Sequence, residues 1–179
     1  MNICIIGDGL TSLSLAKNLI NKKINVHIYY RKMAFNFSSS RTIGLSKNNL
    51  EFFEKNIIKI PKKIKWEIKK IEIFSEKLRK NKILNFENKN KNLFYMIKNQ
   101  DLYNFLNDKL SKNKFFKKKI IKDKSFFEKI LKKDNYDLII NCDQNNPISK
   151  KYFIQKIEKE YKNYAYTTIF EHKKLKNNS

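Results

Sequence analysis

The chain of 179 residues is poor in the residues that bend, staple or punctuate a fold: 3 glycines, 2 prolines, 2 cysteines and 1 tryptophan. Without a proline-rich linker or an internal repeat, a single domain of ordinary size is expected, long enough to bury a real core. Cys4 and Cys142 each fall in an apolar run that reads as a buried strand, so both are expected as small core residues, neither ligands nor disulfide partners. His27 and His172 stand apart from any cysteine pair, which removes support for a metal site. No run approaches the ~18–20 apolar residues of a membrane span. The first residues also lack the basic leader and cleavage site of a signal peptide. A cytoplasmic protein is expected, with peripheral membrane contact left open.

Arginine is scarce as well. Arg31, Arg41 and Arg79 are the only three among 40 basic residues, which face 17 acidic ones for a formal net charge of +23. Such an excess would ordinarily point to nucleic acid, but evolved nucleic-acid sites draw on arginine and gather charge on one face. Here lysine occurs almost everywhere, from "IPKKIKWEIKK" to "FFKKKIIKDK", beside 24 asparagines and 3 alanines, the mark of an AT-biased composition. The expectation is a solvated lysine-rich surface that binds polyanions nonspecifically and with strong salt dependence, without a specific nucleic-acid partner.

What is present has order. "NICIIG" reads as a buried strand, "LTSLSLAKNLINKK" as a helix with Leu13, Ala16 and Ile20 on one stripe, and "INVHIYY" as a second strand, together a βαβ unit. "RKMAFNFSSSRTIG" reads as a loop, and "LSKNNLEFFEKN" as a short helix capped by Ser46. Between about 64 and 98, "KWEIKKIEIFSE", "KILNFE" and "NLFYMIK" read as antiparallel strands outside the first sheet. A helix over "NQDLYNFLNDKLSKN" follows, then a strand at "FFKKKII", a short helix at "SFFEKILKK" and a buried strand at "YDLIINC"; a last strand is expected at about 161–173.

In "IIGDGLTSL", Gly7 and Gly9 fill the first two positions of the G-x-G-x-x-G turn that cradles a pyrophosphate at a helix N-terminus; Ser12 holds the third. At the end of the second strand, where an acid normally accepts the ribose hydroxyl, the chain has Tyr29, Tyr30, Arg31 and Lys32. Asp8, between the glycines, cannot replace that acid, because a carboxylate aimed into the turn would repel the ligand.

The order of five segments, "IIGDGLTSLSLAKNLINKKINVHIYY", "RTIGLSKNNLEFF", "MIKNQDLYNFLNDKL", "YDLIINCDQNNPISKK" and "YAYTTIFEH", resembles the first part of the flavin-dependent aromatic hydroxylases, the ubiquinone-biosynthesis branch most of all. The resemblance implies an α/β fold: a Rossmann-like FAD-binding βαβ scaffold over about 1–60 and 99–150, and a partial antiparallel substrate-domain sheet over about 64–98 and 161–173. It implies FAD held by Gly7, Gly9 and Ser12, with Tyr30 in the place of the ribose-binding acid, Arg41 reaching the flavin region and Asp143 serving cofactor contacts. Gln144 stands where that family has a glycine after the aspartate, and Pro147 where it has a serine. NAD(P)H would be the reductant, a small aromatic molecule the substrate, and no side chain an obvious acid or base. Family members run to about twice this length, so the expectation is a truncated or impaired monooxygenase that binds FAD weakly, self-associates, or draws its missing half from a second chain. Two other readings stay open: a non-catalytic Rossmann-like module holding an anionic partner on its basic surface, and a nicotinamide-linked reductase using Arg31 or Lys32 on a 2′-phosphate.

Overall fold

A computed structural model describes residues 1–31, 41–75, 82–87, 92–123, 125–132, 135–152, 157, 159–164 and 166. The chain divides into two compact units, Met1–Asn36 with Leu102–Tyr166, and Phe37–Asp101 with Thr167–Ser179.

The first unit is built on a four-stranded parallel sheet. Strands β1 (Asn2–Ile6) and β2 (Asn25–Tyr30) flank helix α1 (Leu10–Asn21) in the chain and pair in parallel, Ile3 with Val26 and Ile5 with Ile28. The other two strands come from far along the sequence. Phe116–Ile120 pairs with β2, and Leu138–Asn141 pairs with β1. Numbered in chain order these are β8 and β9, and the sheet runs β8-β2-β1-β9. Both faces of β1 are dry: Ile3, Cys4, Ile5 and Ile6 are all at most 2% exposed, which is why the strand reads as an unbroken apolar run instead of an alternating one.

Successive side chains on a strand point to opposite faces, so Ile3, Ile5, Val26 and Ile28 share one face. Helix α1 packs there with Leu13, Ala16 and Ile20 fully or nearly buried. Cys4 and Ile6 point the other way and pack with Phe127, Ile130 and Ile148. Those three come from two short helices, α4 (Phe126–Lys132) and α5 (Pro147–Tyr152). The helix α3 (Asn99–Ser111) buries Leu102, Leu106 and Leu110.

The second unit holds two small antiparallel sheets. In one, β7 (Phe94–Lys98) lies between β3 (Thr42–Ser46) and β4 (Trp66–Ile68). In the other, β5 (Lys70–Phe74) pairs with β6 (Lys82–Glu87). Ser46 caps helix α2 (Lys47–Asn56) by accepting from the Asn49 amide, as expected.

Several expectations change. Thr42–Ser46 is a strand where a loop was expected, because Thr42 to Ser46 find register with Phe94 to Lys98. β3 and α2 therefore belong to the antiparallel unit and not to the nucleotide scaffold. Cys142 lies just past the end of β9 and is half-buried, whereas Cys4 is buried and its thiol is pushed up to about 12 by that burial. Residues 161–164 and Tyr166 carry no strand, and 167–179 lie outside the described residues, as do Lys32 and Arg79.

Candidate functional site

The carboxyl ends of β1 and β9 meet where the chain order of the sheet reverses, the place at which open parallel sheets bind ligands. Gly7 leaves β1 there with φ +105°, a left-handed value that side chains resist. Its amide donates to the Tyr29 carbonyl at 2.8 Å, and a Cβ on it would sit 3.2 Å from the Cys142 carbonyl carbon and 3.3 Å from Asp143. Glycine is thus required at position 7 twice over, by backbone conformation and by the loop after β9 that lies against it.

Gly9 differs in kind. It is the N-cap of α1 in ordinary extended backbone (φ −71°, ψ 178°), and nothing lies within 4 Å of where its Cβ would be. No side chain caps the helix, and its first turn contains no acid. The amides at a helix N-terminus lack intrahelical partners and favour an anion, so the turn presents donors toward open space. Ser12, in that first turn, is fully buried, and its hydroxyl finds no partner among the described residues.

Asp8, which was not expected to replace the ribose-binding acid, has its carboxylate engaged by other side chains. Its carboxylate lies 3.3 Å from the Lys118 ammonium and accepts a hydrogen bond from the Tyr103 hydroxyl at 3.1 Å. Lys118 also donates to Tyr103 at 2.9 Å and lies 4.7 Å above the Tyr30 ring. Burial would lower the Lys118 ammonium, but its hydrogen bond to Tyr103 and the nearby Asp8 outweigh that effect, and the net direction is up. Lys118 therefore stays charged and cancels Asp8. The half-buried Tyr30 holds the end of β2 under this ammonium, where an acid was expected.

Asp143 is fixed by a web of short side chains. Its amide donates to Asn141 Oδ1 and its Oδ1 accepts from the Asn145 amide, while its carbonyl accepts from Ser149 Oγ. Fully buried Asn146 ties the same loop to Asn141 and, through its Oδ1, to the Ser149 amide. Gln144 does not need the freedom of the glycine it replaces, since Lys23 and Lys162 are the only non-glycine residues with positive φ among those described. Pro147 opens α5, where the missing amide hydrogen costs nothing.

Arg31 joins the site although only its neighbour Tyr30 was singled out as a cofactor contact. Its Nη2 donates to Asp143 Oδ2 and to the Asn145 carbonyl, both at 3.1 Å. Because β1 lies between β2 and β9, this ion pair spans the carboxyl end of β1 above the Gly7 turn. An arginine so engaged is not a free reader of a 2′-phosphate. Arg41, by contrast, is an exposed residue of the second unit whose carbonyl accepts from the Asn99 amide; the site in the first unit is built without it.

The set fits a pyrophosphate-bearing cofactor at the turn: an open cradle above Gly9, unpartnered helix amides and a neutralised Asp8. It fits the adenosine ribose less well, since Tyr30 offers one hydroxyl in place of a bidentate acceptor.

No family model and no curated protein matches the chain. Solved structures do. PqsL of Pseudomonas aeruginosa, described as a probable FAD-dependent monooxygenase, superimposes with a TM-score of 0.54 at 10% identity, over 67% of this chain and 32% of its own. The p-nitrophenol 4-monooxygenase PnpA of Pseudomonas putida gives 0.54 at 11%, over 66% and 31%. A geranylgeranyl bacteriochlorophyll reductase-like protein of Thermoplasma acidophilum gives 0.51 at 14%, over 66% and 29%. The matched part of the chain thus spans about a third of each of these proteins. At such identities the likeness is one of fold, and the fold is the mixed α/β, Rossmann-like one that these structures share.

Proposed function

We propose that the first unit binds FAD through the β1–α1 turn, and that the chain serves an FAD-dependent monooxygenase of the aromatic hydroxylase type, the ubiquinone-biosynthesis branch being the nearest by its segment order. The observation that carries the reading is the pairing of a glycine locked against the loop after β9 with a second glycine that faces open space at an uncapped helix N-terminus. In this reading the α1 amides and Gly9 hold the pyrophosphate, Lys118 keeps the Asp8 charge from opposing it, and Asp143 borders the crevice. Bound flavin would supply the oxygen and hydride chemistry. The protein's part is to place the cofactor and exclude water. Substrate, reductant and the activity of the whole belong to the proposal, since the fold also serves a protein described as reductase-like.

The test uses two glycines that fail differently. Gly9→Ala keeps an allowed backbone and an uncrowded Cβ, so the free energy of urea unfolding should hold within about 0.5 kcal/mol. FAD affinity, read by flavin fluorescence quenching, should fall at least about tenfold, or about 1.4 kcal/mol. Equal FAD binding by wild type and Gly9→Ala, or binding that disappears as steeply with salt as that of any polyanion, rejects the site. NAD(P)H oxidation that depends on an added aromatic, in the flavin-loaded protein, tests the hydroxylase part.

A further inference from the structure

The strand ends opposite the Gly7 turn carry a second concavity. It is about 450 Å³, and it opens on the face of β2 and β8 away from α1, near the amino ends of the strands. His27, Tyr29 and Tyr136 line it together with Lys114, Lys117 and Lys119. Lys117 and Lys119 share a face of β8 because they are two residues apart, and their register partners His27 and Tyr29 do the same on β2. None of the described lining residues is acidic. Nearby Asp137 is occupied, its Oδ2 accepting from the Asn2 amide at 2.6 Å.

Beneath the lysines runs a chain of hydrogen bonds. His27 Nδ1 and the Tyr136 hydroxyl are 2.7 Å apart, and the Tyr136 and Tyr29 hydroxyls 2.8 Å. Three groups joined by two bonds can order their protons in either direction. With the proton on His27 Nδ1, the imidazole donates to Tyr136, Tyr136 donates to Tyr29, and the Tyr29 hydroxyl is left with a hydrogen to give. An anion between the lysines selects that order and gains a hydroxyl donor as well as the ammonium groups.

We propose that this concavity is a binding site for a phosphomonoester of a small organic molecule, held by Lys114, Lys117 and Lys119 over the His27, Tyr136 and Tyr29 chain. Phosphate is favoured because it accepts from ammonium and hydroxyl donors together. The volume leaves room for an organic group and lies within the range of metabolite pockets. An extended polynucleotide fits less well, because the neutral donors converge on one place and do not form a track.

Phenyl phosphate is the probe, titrated into the full-length protein by calorimetry, with inorganic phosphate and a single-stranded oligothymidylate as the other arms. Lys117→Gln with Lys119→Gln removes two exposed amines and leaves the core intact. The expected result is saturable 1:1 binding of phenyl phosphate that weakens at least tenfold in this double variant. Tyr136→Phe should weaken it about threefold or more, while Lys62→Gln with Lys63→Gln, exposed lysines of the other unit, should leave it unchanged. Chemical-shift changes at His27 and Tyr29 on titration would place the ligand. The proposal fails if binding does not saturate, if the control pair loses as much, if inorganic phosphate binds as tightly, or if the oligonucleotide binds more tightly with the same dependence on Lys117 and Lys119.

Discussion

At Gly7 and Gly9 the same residue type answers two different demands, and substitution should separate them. Gly7→Ala places a methyl 3.2–3.3 Å from the loop after β9 in a backbone conformation that L residues resist. A loss of about 1–3 kcal/mol in urea unfolding is expected. Ser12 carries the opposite prediction: its buried hydroxyl has no partner among the described residues, so Ser12→Ala should leave stability equal or raise it by up to about 1 kcal/mol. His27 gives the pH signature. Burial, and then Lys119 and Lys117, lower its pKa below the ordinary value near 6.5. The folded state thus disfavours the proton that the unfolded chain accepts. The stability involved is present above about pH 6.5 and is lost as the pH falls toward the lowered folded value. Thermal melts should show wild type losing more between pH 7 and 5 than His27→Gln does.

At the scale of elements, hydrogen exchange should rank the strands. β1 has a partner on each side and dry faces, so its amides should exchange only on global unfolding. β5 and β6 form a two-stranded ribbon whose Ile73, Leu84 and Phe86 are each more than 40% exposed, and their amides should exchange orders of magnitude faster. The contrast also marks what could be read from the sequence. β1, α1, β2 and α3 were legible because each buries a continuous run or a 3.6-residue stripe; of the three expected middle runs the first divides into β4 and β5, which belong to different sheets. β3 was not legible, since its half-exposed TIGLS has meaning only opposite Phe94–Lys98, more than forty residues on. Six-residue α5 carries too short a pattern to detect. In the site, the glycine turn and Asp143 were legible as local motifs. The Asp8, Tyr103 and Lys118 cluster was not, because Lys118 stands in a run of three lysines and differs from its neighbours only in what lies across the sheet. Rarity among lysines did carry a signal for arginine, but it marks Arg31 at the crevice of the first unit as well as Arg41 of the second.

For the whole molecule, 40 basic against 17 acidic residues set the long-range field. Retention on immobilised heparin should be strong and fall steeply between about 50 and 200 mM salt. Binding at the two concavities should persist at salt concentrations that abolish this retention, and that difference separates built sites from background charge. No helix among the described residues is long and apolar enough to cross a membrane.

The central strand of the parallel sheet has a consequence for synthesis. Ile3 leaves the ribosome 135 positions ahead of its partner Leu138. At about 5–20 residues per second, one edge of the most apolar strand waits on the order of ten seconds before it is sealed. The nascent chain thus carries an open, sticky flank over that interval, and slowing elongation between Ile3 and Leu138 should increase its capture by chaperones.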